Sequence, residues 1–193
     1  MNTYKQDIFE VLQLDLPWNY LAGTNILITG ATGLIGGCVV DVLMRNPKRD
    51  YHVYASGRNV QRARLRFAEF AEDNAFHFLK YDVTLPLESE IQFDYIIHAA
   101  SDANPRFYAE QPVEVMKANI NGVINLLEYG LSYGMKRFLY ISSGEVYGEG
   151  NSKLMNEEYS GYVDCLTFRS CYPSSKRAAE TLCASYIEEY GVD

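Results

Sequence analysis

Residues 25–45 read NILITGATGLIGGCVVDVLMR, and their reading decides the fold. Asn25 to Thr29 is a compact apolar run that enters a glycine cluster, the pattern of a strand covered on both faces. Behind the glycines, LIGGCVVDVLMR carries apolar residues at helical spacing until Pro47 stops the helix. The segment is strand, tight turn, helix. Gly30, Gly33 and Gly36 stand three apart within it. Glycines let a backbone turn sharply, approach a pyrophosphate and pack helix on strand, while free N–H groups and the helix dipole favour an anion. Gly30, Thr32, Gly33, Leu34, Ile35 and Gly36 are therefore the expected phosphate cradle of a dinucleotide.

Outward from this unit the pattern repeats. YHVYASG (51–57) supplies a second strand, and VQRARLRFAEFAE (60–72) a charged helical stretch. AFHFLKYD (75–82) alternates as a third strand, and FDYIIHAAS (93–101) has the near-continuous apolarity of a fourth. Pro112 opens a helix through VEVMKANINGVINLLEYGLSYG (113–134), KRFLYISS (136–143) is a fifth strand, and YPSSKRAAETLCASYIEEYG (172–191) is an amphipathic helix ending at Gly191. Strands joined by helix-length crossovers must be parallel, since hairpins cannot join parallel neighbours. The predicted class is α/β, a doubly wound parallel sheet with helices on both faces. Residues 1–24 differ in character: an amphipathic DIFEVLQLDL (7–16), then Pro17 and the lone Trp18, predicted to pack as a helical preface on the sheet.

At 193 residues, 48% hydrophobic and 22% charged, the chain fits one ordinary globular domain. A net charge of −8 argues against nucleic acid or an anionic membrane as partner, because both need a basic face. Cys38, Cys165, Cys171 and Cys183 lack the paired spacing of a metal or redox site, so free thiols and no metal are expected. No apolar run approaches a membrane span and the N-terminal stretch lacks a signal-peptide pattern, which points to the cytoplasm.

Tyr172 and Lys176 in YPSSK stand four apart at a helix start and share a face. A phenol near pKa ~10 is barely ionised at neutral pH, but a neighbouring ammonium stabilises phenolate; Tyr172 could then act as a base. Ser143, closing strand five, offers a second hydroxyl to hold a reacting oxygen. The glycine turn, this Ser-Tyr-Lys set, Asp82 after strand three and HAAS at 98–101 together resemble the extended short-chain dehydrogenase/reductases, the NAD-dependent epimerase/dehydratase family. The resemblance covers residues 25–193 and implies a Rossmann-type NAD(P)-binding domain, with Asp82 and Val83 at the adenine and Ala99, Ala100 and Ser101 lining the cofactor. It also implies that Lys176 hydrogen-bonds the nicotinamide ribose beside Tyr172, while His98 is buried rather than catalytic and Asn119 is structural. Ser142 is expected to bond locally and Tyr147 to pack. Strand two departs from the pattern: where an acid on the adenosine ribose marks NAD, YASGRN offers Ser56, Gly57 and Arg58. Arg58 could meet a 2′-phosphate, so NAD and NADP both stay open.

Members of this family act mostly on nucleotide sugars through a 4-keto intermediate and differ around strand five. The 4,6-dehydratases carry TDEVYG there; this chain has SGEVYG, with Gly144 at the acid position and Glu145 retained. UDP-glucuronate decarboxylases carry TSEVYG and a helix beginning RSCYDEGKRxAETL, which RSCYPSSKRAAETLC (169–183) resembles. The resemblance implies a decarboxylase-like enzyme, with 4-epimerase and 4,6-dehydratase as alternatives and a non-catalytic dinucleotide-binding module as the rival. Ser143 and Glu145, with Arg106 and Tyr108 in the loop after strand four, would meet the sugar. SDANPRFY (101–108) only loosely matches the decarboxylases' SPASPxxY. Members run on for a further hundred or more residues past the point matching EEYGVD, so a truncated, weakly binding and poorly active piece is expected, and a homodimer through the helices beginning at Pro112 and Tyr172 is the family habit.

Overall fold

The computed structural model describes residues 3–150 and 154–193. Five strands form one parallel sheet in the order β3-β2-β1-β4-β5: β1 (Thr24–Thr29), β2 (Tyr51–Gly57), β3 (Phe76–Lys80), β4 (Tyr95–His98) and β5 (Arg137–Tyr140). β1 is central, with Ile28 opposite Ala55 on one side and Ile97 on the other. The chain leaves β1 toward β2 and returns to β1's other side at β4, so the strand order reverses beside β1; a crevice opens beyond the carboxyl ends of strands at such a point.

Each face of the sheet holds its own core. Ile26, Ile28, Val53 and Ala55 pack with Val40, Leu43 and Met44 of α2 (Leu34–Arg45) and with Ala63 of α3 (Val60–Arg66). Leu27 and Ile96 pack against Ala118, Leu126 and Tyr129 of α5 (Pro112–Tyr133) on the other face. α6 (Cys171–Tyr190) lies along α5 and covers Phe138 and Tyr140 of β5. Leu139, pointing the other way from β5, stays 52% exposed.

Three expectations need correction. The charged helix after β2 stops at Arg66, because Phe67 turns into the core and a 3-10 turn, Ala68–Phe70, follows. The fourth strand is only Tyr95–His98, since the residues beyond it leave the ladder to line a crevice. The preface forms helix α1 (Thr3–Gln13), but it docks on α2 rather than on the sheet, whose face α2 and α3 already cover. Its anchor is Asp41 of α2, 1% exposed, which accepts from Tyr4 Oη and from the Arg66 guanidinium; Arg66 Nη2 also donates to Tyr4 Oη at 3.0 Å. Trp18 packs on the edge of the first core. All four cysteines are free thiols.

Candidate active site

The glycine turn works by close approach. Gly30 sits at φ +66, and a β-carbon there would lie 2.7 Å from the Ala100 backbone, so β1's turn presses directly on the chain leaving β4. At Gly36 a β-carbon would stand 2.6 Å from the Gly30 carbonyl oxygen. Only bare backbone fits at either place. Beyond the turn lies a pocket lined by Gly30, Thr32, Gly33, Ser56, Arg58, Asp82, Val83, Ala99, Ala100 and Ser101. Those expected cofactor residues are thus brought together. Leu34 and Ile35, 85% and 52% exposed at the start of α2, lie outside that lining, and Gly36 serves by packing. Arg62, Tyr81, Asp102 and Ala118 also line it; sequence reading passed over them because nothing local marks them. The pocket holds two features a dinucleotide suits: a side-chain-free cradle at a helix start and a buried Ser56 hydroxyl without a partner among the described residues.

The chemistry-bearing side chains cluster at the same end of the sheet. Tyr172 and Lys176 on the first turns of α6 are 5% and 2% exposed. Lys176 Nζ donates to the Ile141 carbonyl at 2.8 Å and lies 4.5 Å above the Tyr140 ring and 5.8 Å from the Tyr172 ring. Burial pulls its pKa down to about 8, opposed by Glu180. Ser143 ends the chain leaving β5 and caps a 3-10 turn, Gly144–Tyr147, by accepting from Glu145 N–H at 3.2 Å. The local bond expected of Ser142 belongs instead to Ser143; Ser142 Oγ reaches across to Glu180 on α6.

Glu145 is not a free loop charge. Arg169 grips its carboxylate with two bonds of 2.8 and 2.9 Å, and the Arg169 guanidinium lies 4.9 Å over the Tyr108 ring. Tyr108 in turn stacks on Tyr172 at 4.7 Å. The stack Arg169–Tyr108–Tyr172 therefore ties Glu145 to the phenol. Burial, then the neighbouring Tyr172 and Glu145, push the Tyr108 phenol up. Arg106, its side chain 79% exposed, faces solvent on the same short helix α4 (Pro105–Glu110) and pairs with Glu110 at 2.7 Å, so it is not brought to the cluster. Arg169 is the residue sequence reading missed; its place in RSCY was the available signal.

One buried polar group connects pocket and cluster, and a second lies buried beside it. Asn119, fully buried, accepts from Ser101 Oγ at 2.7 Å and donates to Ser175 Oγ at 2.9 Å, bridging the chain after β4 to α6. His98 bonds Thr29 Oγ1 through Nδ1 at 2.7 Å, while Nε2 is buried without a partner among the described residues. Burial, then Lys176, lowers its pKa to about 3, which keeps it neutral.

Known proteins resemble this chain in sequence and in fold. The chain is 34% identical over 174 residues to UDP-glucuronic acid decarboxylase 6 of Arabidopsis thaliana, covering 90% of this chain and 49% of that protein. It spans about half the length of the curated relatives it matches. Among solved structures, the UDP-N-acetylglucosamine 4-epimerase of Methanobrevibacter ruminantium superposes with a TM-score of 0.73 at 23% identity, over 89% of this chain and 53% of that one. A dTDP-glucose 4,6-dehydratase variant of Streptomyces venezuelae with NAD bound gives 0.72 at 22%, over 87% and 53%. Residues 26–193 match the NAD dependent epimerase/dehydratase family as a whole, and the chain belongs to that family.

Proposed function

We propose that this chain is the cofactor-binding and redox half of a nucleotide-sugar enzyme that works through a 4-keto sugar, and that the reaction is decarboxylation of a UDP-glucuronate-like substrate. The observation that carries the reading is the buried Tyr172 and Lys176 pair held, through Ser101–Asn119–Ser175, at a fixed place beside the dinucleotide pocket. A nicotinamide dinucleotide, NAD or NADP, supplies hydride acceptance and return when bound. The phosphate turn would hold its pyrophosphate and the Asp82–Val83 corner its adenine.

Tyr172 takes the proton from the sugar hydroxyl at the carbon being oxidised, with Ser143 Oγ holding that oxygen and the Lys176 ammonium stabilising the phenolate. Once the neighbouring carbon bears a ketone, a uronic acid is a β-keto acid and its carboxylate leaves as CO2 with the electron pair flowing into the ketone. Glu145, whose carboxylate Arg169 holds, is assigned the return of a proton to the ring carbon. Gly144 supports this branch over dehydration, because it offers no acid to a leaving hydroxyl. Incubation with UDP-glucuronate, UDP-glucose and dTDP-glucose, followed by mass, tests the reading: loss of CO2 from UDP-glucuronate is expected, and loss of water or an unchanged mass would move the assignment to a dehydratase or an epimerase. A Tyr172→Phe variant with undiminished turnover would remove the redox reading altogether.

The assembly we propose is a homodimer through α5 and α6, supported by exposed Val113, Met116 and Ile187 on those helices; sedimentation equilibrium checks it. Among the described residues no helix is long and apolar enough to cross a membrane.

A further inference from the structure

One wall of the dinucleotide pocket carries polar groups with no assigned partner. Ser56 is the penultimate residue of β2, twenty residues after Gly36, where an acid would accept the adenosine ribose hydroxyls. The residue is 1% exposed, and its buried hydroxyl has no hydrogen-bond partner among the described residues. Arg58 and Arg62 line the same pocket. Arg58 Nη2 crosses to the Asp102 carboxylate at 3.0 and 3.3 Å. The Arg62 guanidinium has no ion pair among the described residues, although its backbone N–H is used by Asn59 Oδ1. The other lining acid, Asp82, is occupied by the N–H and hydroxyl of Thr84. On a chain of net charge −8, this corner therefore holds one uncommitted cation, one cation held only by an exposed ion pair, and one orphaned hydroxyl.

That set matches a phosphomonoester. A hydroxyl donates one bond to a phosphate oxygen, and guanidiniums present paired donors in the geometry phosphate oxygens accept. A carboxylate at the same place would repel it, and Ser56 to Asn59 contains none. We propose that Ser56, Arg58 and Arg62 form a receiving site for the 2′-phosphate of the adenosine ribose, so that the pocket selects NADP over NAD. The inference rests on the dinucleotide reading and deepens it. Asp102 is the competitor: Arg58 exchanges its carboxylate for the phosphate when the site fills.

Isothermal titration of the chain with NADP and with NAD tests this without any sugar substrate. NADP should bind at least about tenfold more tightly, and rising salt should erode the difference. Arg58→Ala/Arg62→Ala, at two exposed positions whose fold circular dichroism verifies, should bring the two affinities to parity. Ser56→Asp should reverse the preference. Asp102→Asn should strengthen NADP more than NAD, an outcome a merely structural role for Arg58 does not produce. Wild-type binding of NAD equal to or tighter than NADP overturns this inference while leaving the dinucleotide reading intact; binding of neither overturns both.

Discussion

His98 offers the sharpest quantitative check on how the site is built. Its imidazole is 1% exposed, bonded at Nδ1 and unpartnered at Nε2, and its pKa falls to about 3, first through burial and then through Lys176. In the unfolded chain it returns to about 6.5. As pH falls below that value the unfolded chain takes up a proton that the folded chain refuses, so stability is complete above about pH 6.5 and is lost as pH drops toward the folded value. One proton contributes about 1.4 kcal/mol per pH unit in this window, so between pH 7.5 and pH 5 the loss from this residue is about 2 kcal/mol. Other groups also titrate there, and a variant isolates His98. His98→Asn keeps a group for Thr29 Oγ1 and removes the titration. Urea unfolding at both pH values should show the wild type losing about 2 kcal/mol more than His98→Asn. Parallel losses, within about 0.5 kcal/mol, would refute the claim that this histidine is held neutral inside the sheet.

Other perturbations test other joints. Lys176 runs the opposite way from a paired lysine: its folded pKa of about 8 lies below the ordinary 10.5, so its burial penalty is full below pH 8 and is relieved as pH rises toward 10.5. Lys176→Met should therefore raise stability at pH 7 by about 1–3 kcal/mol while abolishing turnover, a gain that shrinks at pH 10; calorimetry at both pH values reads it. Asp41→Ala leaves Arg66 without its carboxylate and should cost about 3 kcal/mol in chemical unfolding, with hydrogen exchange in α1 rising most. Gly36→Ala drives a β-carbon against the Gly30 carbonyl and should cost about 1–3 kcal/mol while weakening dinucleotide binding by more than tenfold. A Gly36→Ala chain that binds dinucleotide normally would mean the turn is not the cradle.

The strand–turn–helix of residues 24–45 was readable because its signals are local: an apolar run, glycines at fixed spacing and a helical period in consecutive residues. Tyr172 and Lys176 were readable for the same reason, since four residues on a helix set their shared face. What escaped depends on contacts distant in sequence. Arg169 meets Glu145 across 24 residues and Arg58 meets Asp102 across 44, and both are charged residues that look like solvated surface when read alone. The docking of α1 likewise needs Tyr4, Asp41 and Arg66 from three helices at once. Arg106 and Tyr108 were paired through the resemblance of SDANPRFY to a substrate loop, whereas positions two apart on a helix face different directions and Arg106 turns to Glu110.

The Asn119 bridge gives the molecule a fixed ruler. Ser101 belongs to the wall where a cofactor would lie and Ser175 to the helix that presents the phenol, and one buried amide sets their separation with a bond to each. In the proposed reaction, alignment of the proton and hydride acceptors would fall to α5, an element that supplies none of the proposed reacting groups. Shortening that ruler, as Asn119→Ala would, leaves every reacting group present and lets the two halves of the reaction drift out of register with each other.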